Sequence, residues 1–151
     1  MYKRQEIIFA ATDLLADTKL APELSNEAHY YRAKAYLDAG KTDGAMEDLK
    51  VLAKDTRNVY GAEAKYKVAQ IYFDGGQTDK AEQEVLNYIE VSTPHTYWLA
   101  RSFVLLADVY MKLGRNLDAK QYLLSLKQNY QADDDIAGMI ESRLEKLKTE
   151  N

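Results

Sequence analysis

Three glycines, spaced almost evenly along the chain, constrain its fold more than any other feature of the sequence. Gly40, Gly76 and Gly114 follow one another at intervals of 36 and 38 residues. Each has an Ala seven positions before it, a Tyr four before, an Ala five after and a large aliphatic residue nine after. These positions hold Ala33, Ala69 and Ala107; Tyr36, Tyr72 and Tyr110; Ala45, Ala81 and Ala119; and Leu49, Val85 and Leu123. Self-similarity at such a period indicates a repeat architecture.

Each repeat is predicted to be a helix, a tight turn and a second helix packed antiparallel to the first. The Gly supplies the positive φ angle that the chain needs just past a helix end. The alanines let two helices approach closely where their axes cross. Thr42, Thr78 and Asn116 are expected to cap the second helices, which carry aliphatic residues at spacings of three and four.

The pattern resembles the tetratricopeptide repeat, in which a small residue, a Tyr, a turn, an Ala and a large apolar residue recur in this order. The resemblance covers residues 26 to 130. It departs from the family at an early column that usually holds Trp or Leu, where this chain has His29, Lys65 and Phe103. The resemblance implies an all-α fold, an α-α superhelix (a TPR-like solenoid) of three helix-turn-helix repeats.

Helical periodicity in the flanking segments extends this array at both ends. Ile7, Ile8, Leu14 and Leu15 predict a half-repeat helix, and the apolar residues after Asp133 predict a capping helix. The chain is therefore expected to form a single domain, 1–151, with eight helices. Its parts are the half-repeat helix 3–18, the repeats 26–57, 58–92 and 93–131, and the capping helix 133–149.

Composition and motifs argue against several classes of function. A net charge of −4 disfavours nucleic-acid binding, and no apolar run approaches the roughly 18 residues that span a bilayer. The chain has no Cys, His29 and His95 lack metal-ligand spacing, and no catalytic set of residues is evident. We expect Asp133–Asp135 to cap a helix; calcium binding is the weaker alternative because the EF-hand spacing is missing. The expectation is a protein without catalytic activity, cofactor or metal.

The family resemblance implies that the first helices of the repeats line a concave face that binds a partner peptide or protein segment. The outward positions of those helices give the candidate contacts, which are Tyr30, Lys34, Tyr66, Lys67, Gln70, Phe73, Arg101, Val104 and Asp108. The alternative is that the aromatic residues in this set pack against neighbouring helices, since an aromatic residue at helical spacing is most often core. Tyr97 and Trp98 are expected to seal the joint between the second and third repeats rather than to anchor a partner.

A second hypothesis is a structural module that associates with itself. An incomplete solenoid end exposes apolar helix faces that can pair, so Ile7, Ile8, Leu14 and Leu15 are the expected contact of a homodimer. A closer resemblance, to the C-terminal repeats of long tetratricopeptide proteins from Bacteroidetes-type bacteria, comes from residues 61–66, 93–103 and 133–136. It implies a module of a larger assembly scaffold in the cell envelope or periplasm, with the cytoplasm as the alternative.

Overall fold

The computed structural model describes residues 2–149, and over this range the chain folds into eight α-helices and no strand. This confirms the predicted fold class and number of helices. The division of the chain into repeats stays a prediction, and the first repeat's opening helix begins at Pro22, before the expected residue 26. The helices are α1 (Tyr2–Leu15), α2 (Pro22–Asp38), α3 (Thr42–Leu52), α4 (Val59–Asp74), α5 (Thr78–Val91), α6 (Thr96–Lys112), α7 (Asn116–Asn129) and α8 (Ile136–Thr149).

The helices stack in two rows. Each helix packs against the next one along the chain, and in addition α2 contacts α4, α4 contacts α6, and α6 contacts α8. Within residues 2–149 the odd-numbered helices make no such contacts with one another. The even-numbered helices therefore form the continuous row of an α-α superhelix. We call the surface presented by α2, α4, α6 and α8 the even-helix face.

The three repeat glycines lie in the turns where they were predicted. Gly40, Gly76 and Gly114 have φ angles of 74°, 79° and 76°. The residue after each glycine donates its backbone N–H, at 2.8 Å, to the carbonyl of the tyrosine four positions before the glycine. This is the hydrogen bond that closes a helix whose next residue takes the left-handed conformation. The conserved spacing of Tyr and Gly within the chain is thus the spacing of one helix-terminating motif.

The predicted caps of the second helices are wrong. Thr42, Thr78 and Asn116 are the first residues of α3, α5 and α7, and the cap positions before them make no side-chain capping bond. The tight turn places a long side chain at the cap position, one residue earlier than expected. A true side-chain cap occurs at Asn58, whose Oδ1 accepts the backbone N–H of Tyr60 at 2.8 Å.

The recurring alanines are buried between packed helices. Both alanine columns are at most 1% exposed in all three repeats. The aliphatic residues that follow them, Leu49, Val85 and Leu123, are buried as well. Their burial accounts for the apolar columns of the sequence, because only a small side chain fits where two helix axes cross at short distance.

Burial is uneven along the array. One apolar cluster runs from α4 to α8 and a smaller one joins α2, α3 and α4. Of the α1 side chains that the structure describes, only Ala11 is buried. Helix α1 packs against α2, and two polar contacts add to this packing: Arg4 donates to the Asp38 carbonyl oxygen and Arg32 of α2 donates to Thr12 Oγ1.

The two longer connections bind each other. Thr56 Oγ1 donates to the Ser92 carbonyl oxygen at 2.9 Å, and Thr93 Oγ1 donates to the Thr56 carbonyl oxygen at 2.6 Å. Ser92 has a positive φ of 63°, which is uncommon for a residue with a side chain. The His95 ring lies 2.9 Å from the Arg57 carbonyl oxygen. These contacts fix the connection containing Pro94 on the preceding loop, and they give His95 a structural role.

Gly61 marks a close backbone contact between the first turn of α4 and the segment that runs from the end of α3 into the following loop. A Cβ atom added to Gly61 would lie 1.9 Å from the Asp55 carbonyl oxygen and 2.6 Å from that of Leu52. Both obstacles are backbone atoms, which cannot move aside as a flexible side chain can. The first turn of α4 therefore rests directly on the end of α3.

We expect Gly61→Ala to lower the free energy of unfolding by about 2–4 kcal/mol, because the added methyl group must push two helices apart. Urea unfolding followed by circular dichroism measures the change. Gly138→Ala in α8 is the matched control: its added Cβ would meet nothing within 4 Å, so it should stabilise by about 0.5–1 kcal/mol. Equal effects of the two substitutions would contradict this packing.

Candidate partner-binding face

The even-helix face is crossed by polar bridges between neighbouring helices. The first joins α2 to α4, where Tyr30 Oη donates to Glu63 Oε1 at 3.1 Å and Lys67 Nζ lies 2.5 Å from Glu63 Oε2. The Lys34 ammonium lies over the Tyr30 ring, 5.4 Å from its centre. Burial and the adjacent Glu63 carboxylate raise the pKa of Tyr30 to about 12, so the phenol remains a donor at neutral pH.

The second bridge centres on Arg101 of α6. Its guanidinium donates to Tyr97 Oη at 3.0 Å and to Tyr66 Oη at 3.2 Å. It also lies over the ring of Tyr66, 4.9 Å from the centre, and beside Trp98. Tyr97 in turn donates to Asp135 ahead of α8, at 2.9 Å. Arg101 thus links α4, α6 and the approach to α8.

The third bridge joins α6 to α8 through a bidentate ion pair. Arg143 Nε lies 2.7 Å from Asp108 Oδ1, and a terminal nitrogen of the same guanidinium lies 2.9 Å from Oδ2. Paired parallel hydrogen bonds of this kind fix both the distance and the orientation of the two groups. The sequence predicted Asp108 on this face, but it did not predict its partner Arg143 on α8.

The predicted contact residues fall into two groups. Lys34 is exposed, and Tyr30, Lys67, Gln70, Phe73, Arg101 and Asp108 are partly exposed on the even-helix face. Tyr66 and Val104 are only 7% and 3% exposed, so their expected outward positions are wrong. Val104 faces the apolar cluster between α4 and α7, and Tyr66 lies under Arg101 and Trp98.

Arg101 is not free to receive a carboxylate from a partner. Its guanidinium is already engaged by two tyrosine hydroxyls and by aromatic rings. Tyr97 and Trp98 share this arrangement, with their ring centres 5.0 Å apart. The structure thereby favours the joint that was expected for Tyr97 and Trp98 over an exposed anchor.

A cleft of about 480 Å³ opens between α6 and α8 at the C-terminal ends of α4, α6 and α8. Phe73 and Met111 supply apolar surface, and Lys112 and Lys146 supply positive charge, beside the Asp108–Arg143 pair. Sequence reasoning found Phe73 and Asp108 but missed the lysines and the contribution of α8. The basic residues in the last turns of α6 and α8 were the sequence feature that could have indicated this cleft.

A larger cleft of about 630 Å³ lies between α3 and α5, on the other side of the array. Its buried cation, Lys65, is 2.7 Å from Glu84 and 2.6 Å from the Asn87 side-chain oxygen. This ammonium therefore already has partners within the protein. The larger cleft opens toward α3 and α5, away from the even-helix face that carries the predicted contact residues.

His29, Lys65 and Phe103 stand where the family usually has Trp or Leu, and each makes an equivalent contact with the second helix of its repeat. The residue eleven positions before each glycine meets the residue eight positions after it. The pairs are His29 with Asp48 at 2.7 Å, Lys65 with Glu84 at 2.7 Å, and the rings of Phe103 and Tyr122 with centres 6.1 Å apart. His29 therefore has a structural role. The same position in the repeat holds a histidine–aspartate contact, a lysine–glutamate ion pair and an aromatic pair.

Two models of a known family match the chain, each described as "Tetratricopeptide repeat". One covers residues 27–55, which contain the first glycine turn, and the other covers residues 100–129, which contain the third. The chain contains tetratricopeptide repeats. No curated protein and no solved structure matches it. The closer resemblance to long bacterial envelope proteins stays a prediction.

Tetratricopeptide repeats generally mediate protein–protein interaction, and the all-helical repeat fold is typically a scaffold without enzymatic activity. Within residues 2–149, no group of three or more His, Asp or Glu side chains is placed to hold a metal ion. Asp134 Oδ1 accepts the backbone N–H of Ile136 at 2.9 Å, so the acidic run caps α8 as expected. None of the described helices is both long and apolar enough to cross a bilayer.

We expect Arg101→Leu to lower the free energy of unfolding by about 1–3 kcal/mol, since it removes two hydrogen bonds and the stacking that joins α4 to α6. Arg101→Lys should recover only part of this loss, because an ammonium cannot reproduce the planar contacts of a guanidinium. Thermal unfolding by circular dichroism measures both. An Arg101→Leu protein as stable as the parent would mean that the bridge contributes nothing to stability.

Proposed function

We infer that this tetratricopeptide repeat protein binds a segment of a partner protein on the even-helix face, the side predicted to be concave. The observation that carries the proposal is the set of polar bridges across that face. They hold Tyr30, Arg101 and Asp108 in defined positions before any partner arrives. A surface with fixed side chains loses less conformational entropy on binding than a mobile one.

The exposed side chains beside those bridges support the same conclusion. Tyr31 is half exposed with its ring edge against Tyr30, at a centre-to-centre distance of 5.3 Å. Lys34 projects from the next turn of α2 over the Tyr30 ring. Tyrosine supplies large apolar contact area together with a polar tip, which is why it is frequent in protein interfaces.

The double substitution Tyr31→Ser/Lys34→Glu should abolish capture of the partner, because it removes an exposed aromatic contact and reverses a charge. The measurement is affinity capture from native extract followed by mass spectrometry. The matched control is Leu124→Ser/Lys120→Glu on the exposed side of α7, which should capture the same proteins as the parent chain. Circular dichroism confirms that both variants fold.

A partner is defined here as a protein captured by the parent chain and by the α7 control. If the Tyr31→Ser/Lys34→Glu variant captures that protein equally well, the even-helix face is not where it binds. If the α7 control loses it instead, the row of odd-numbered helices is the recognition surface.

Self-association through α1 is the second candidate, and one observation favours it. Ile7, Phe9 and Leu14 are exposed, Phe9 by 68%, on a helix that contributes little to the core. Ile8 and Leu15, which were expected in the same contact, are instead partly buried. Phe9 was missed by sequence reasoning because it falls outside the helical spacing of the other four residues.

If α1 mediates pairing, light scattering should show a mass that rises from monomer to dimer with concentration, and Phe9→Ser/Leu14→Ser should keep the chain monomeric. Leu117→Ser/Leu124→Ser removes two equally exposed leucines from α7 and should leave the dimer intact. A parent chain that stays monomeric at every concentration excludes this candidate.

A further inference from the structure

We propose that the cleft between α6 and α8 binds an acidic stretch of the partner that carries an apolar side chain. This rests on the proposed function, since the cleft is part of the even-helix face. It adds the chemistry of the partner segment and the place where that segment is held.

The floor of the cleft is apolar. Phe73 projects from the last turns of α4 and Met111 from those of α6, and both are partly buried against the larger apolar cluster. They leave a concavity of about 480 Å³, which lies in the range of about 300–1,000 Å³ typical of specific pockets. Met is unbranched and polarizable, so it adapts to differently shaped apolar side chains.

The rim of the cleft is positively charged. Lys112 and Lys146 occupy the last turns of α6 and α8, where both are exposed. Within residues 2–149 neither ammonium forms an ion pair with a carboxylate, in contrast to Lys65, Lys67 and Lys127. Both therefore remain free to meet an anionic group from outside the described chain.

The middle of the cleft adds no net charge. Arg143 is neutralised by Asp108, and their bidentate ion pair fixes the wall between Lys112 and Lys146. The lining as a whole holds three cations and one anion, although the chain carries a net charge of −4. A basic concavity on an acidic protein selects an acidic partner by charge complementarity.

The apolar floor together with the basic rim favours an acidic peptide over a nucleic acid. A nucleic acid could engage the lysines through its phosphates, but it would leave the floor of Phe73 and Met111 without an apolar partner. An acidic peptide with one leucine or phenylalanine satisfies both parts. Its apolar side chain enters the concavity while its carboxylates reach Lys112 and Lys146.

The probe is a short fluorescein-labelled peptide in which Asp and Glu residues flank one Leu, and fluorescence anisotropy measures its binding to the full chain. Saturable binding that weakens with added salt is expected. Replacing the Leu by Ser should weaken binding about tenfold, because burial of the apolar side chain is lost. Replacing the acidic residues by Lys should abolish binding.

The variant Lys112→Glu/Lys146→Glu should weaken binding of the acidic peptide at least about tenfold, since attraction becomes repulsion at both edges of the cleft. The matched control Lys41→Glu/Lys120→Glu makes the same change in net charge at two exposed lysines outside the cleft. It should bind the acidic peptide within about twofold of the parent, because distant surface charges are largely screened by salt.

Three results would overturn the proposal: no saturable binding of the acidic peptide, equal weakening by the two double variants, or equally tight binding of a single-stranded DNA oligomer at the same lysines. None of them bears on whether Tyr31→Ser/Lys34→Glu loses the native partner. A chain that loses its partner through that variant but ignores the acidic peptide keeps its proposed function and loses only this inference. If the parent chain binds the acidic peptide but the Tyr31→Ser/Lys34→Glu variant still captures the native partner, this inference is supported and the proposed function is contradicted.

Discussion

The close contact of alanine with neighbouring helices is the constraint on which the rest of this structure depends. Ala33, Ala69 and Ala107 are at most 1% exposed, and so are the alanines five residues after each turn glycine. A larger residue there would separate the two helices of a hairpin. The helices would then lose the registration that brings α2, α4, α6 and α8 into a row. The even-helix face exists because six small side chains permit it.

Polar side chains join neighbouring hairpins across the even-helix face, in addition to the apolar cluster that runs from α4 to α8. Within each hairpin the helices are held mainly by buried alanine and aliphatic residues. Between hairpins, the even-helix face is joined by Tyr30 with Glu63, by Arg101 with two tyrosines, and by Asp108 with Arg143. Hydrogen bonds are directional, so they fix the angle between neighbouring helices more narrowly than apolar contact does.

The fold was predictable from the sequence because its determinants are local and repeated. The glycine turns and the alanine columns each appear three times at fixed distances, so one chance match could not imitate them. The face was only partly predictable, since it depends on which way a side chain turns among its neighbours. Val104 and Arg143 show the difficulty: the register of α6 alone placed the first outside, and nothing local connected the second to Asp108. The pairing of Lys65 with Glu84 did have a signal, because the same two positions are complementary in every repeat.

The uneven distribution of buried surface has a mechanical consequence. The larger apolar cluster binds α4 through α8 into one unit, while α1 packs against α2 with Ala11 as its buried side chain among those that the structure describes. In a linear array each hairpin is stabilised by its neighbours, so a pulling force opens the end with the weakest contacts first. That end is the N-terminal one, and its opening would loosen α2 and thereby slacken the half of the face around Tyr30. Tension applied to α1 would thus change the stiffness of the surface around Tyr30, on the neighbouring helix.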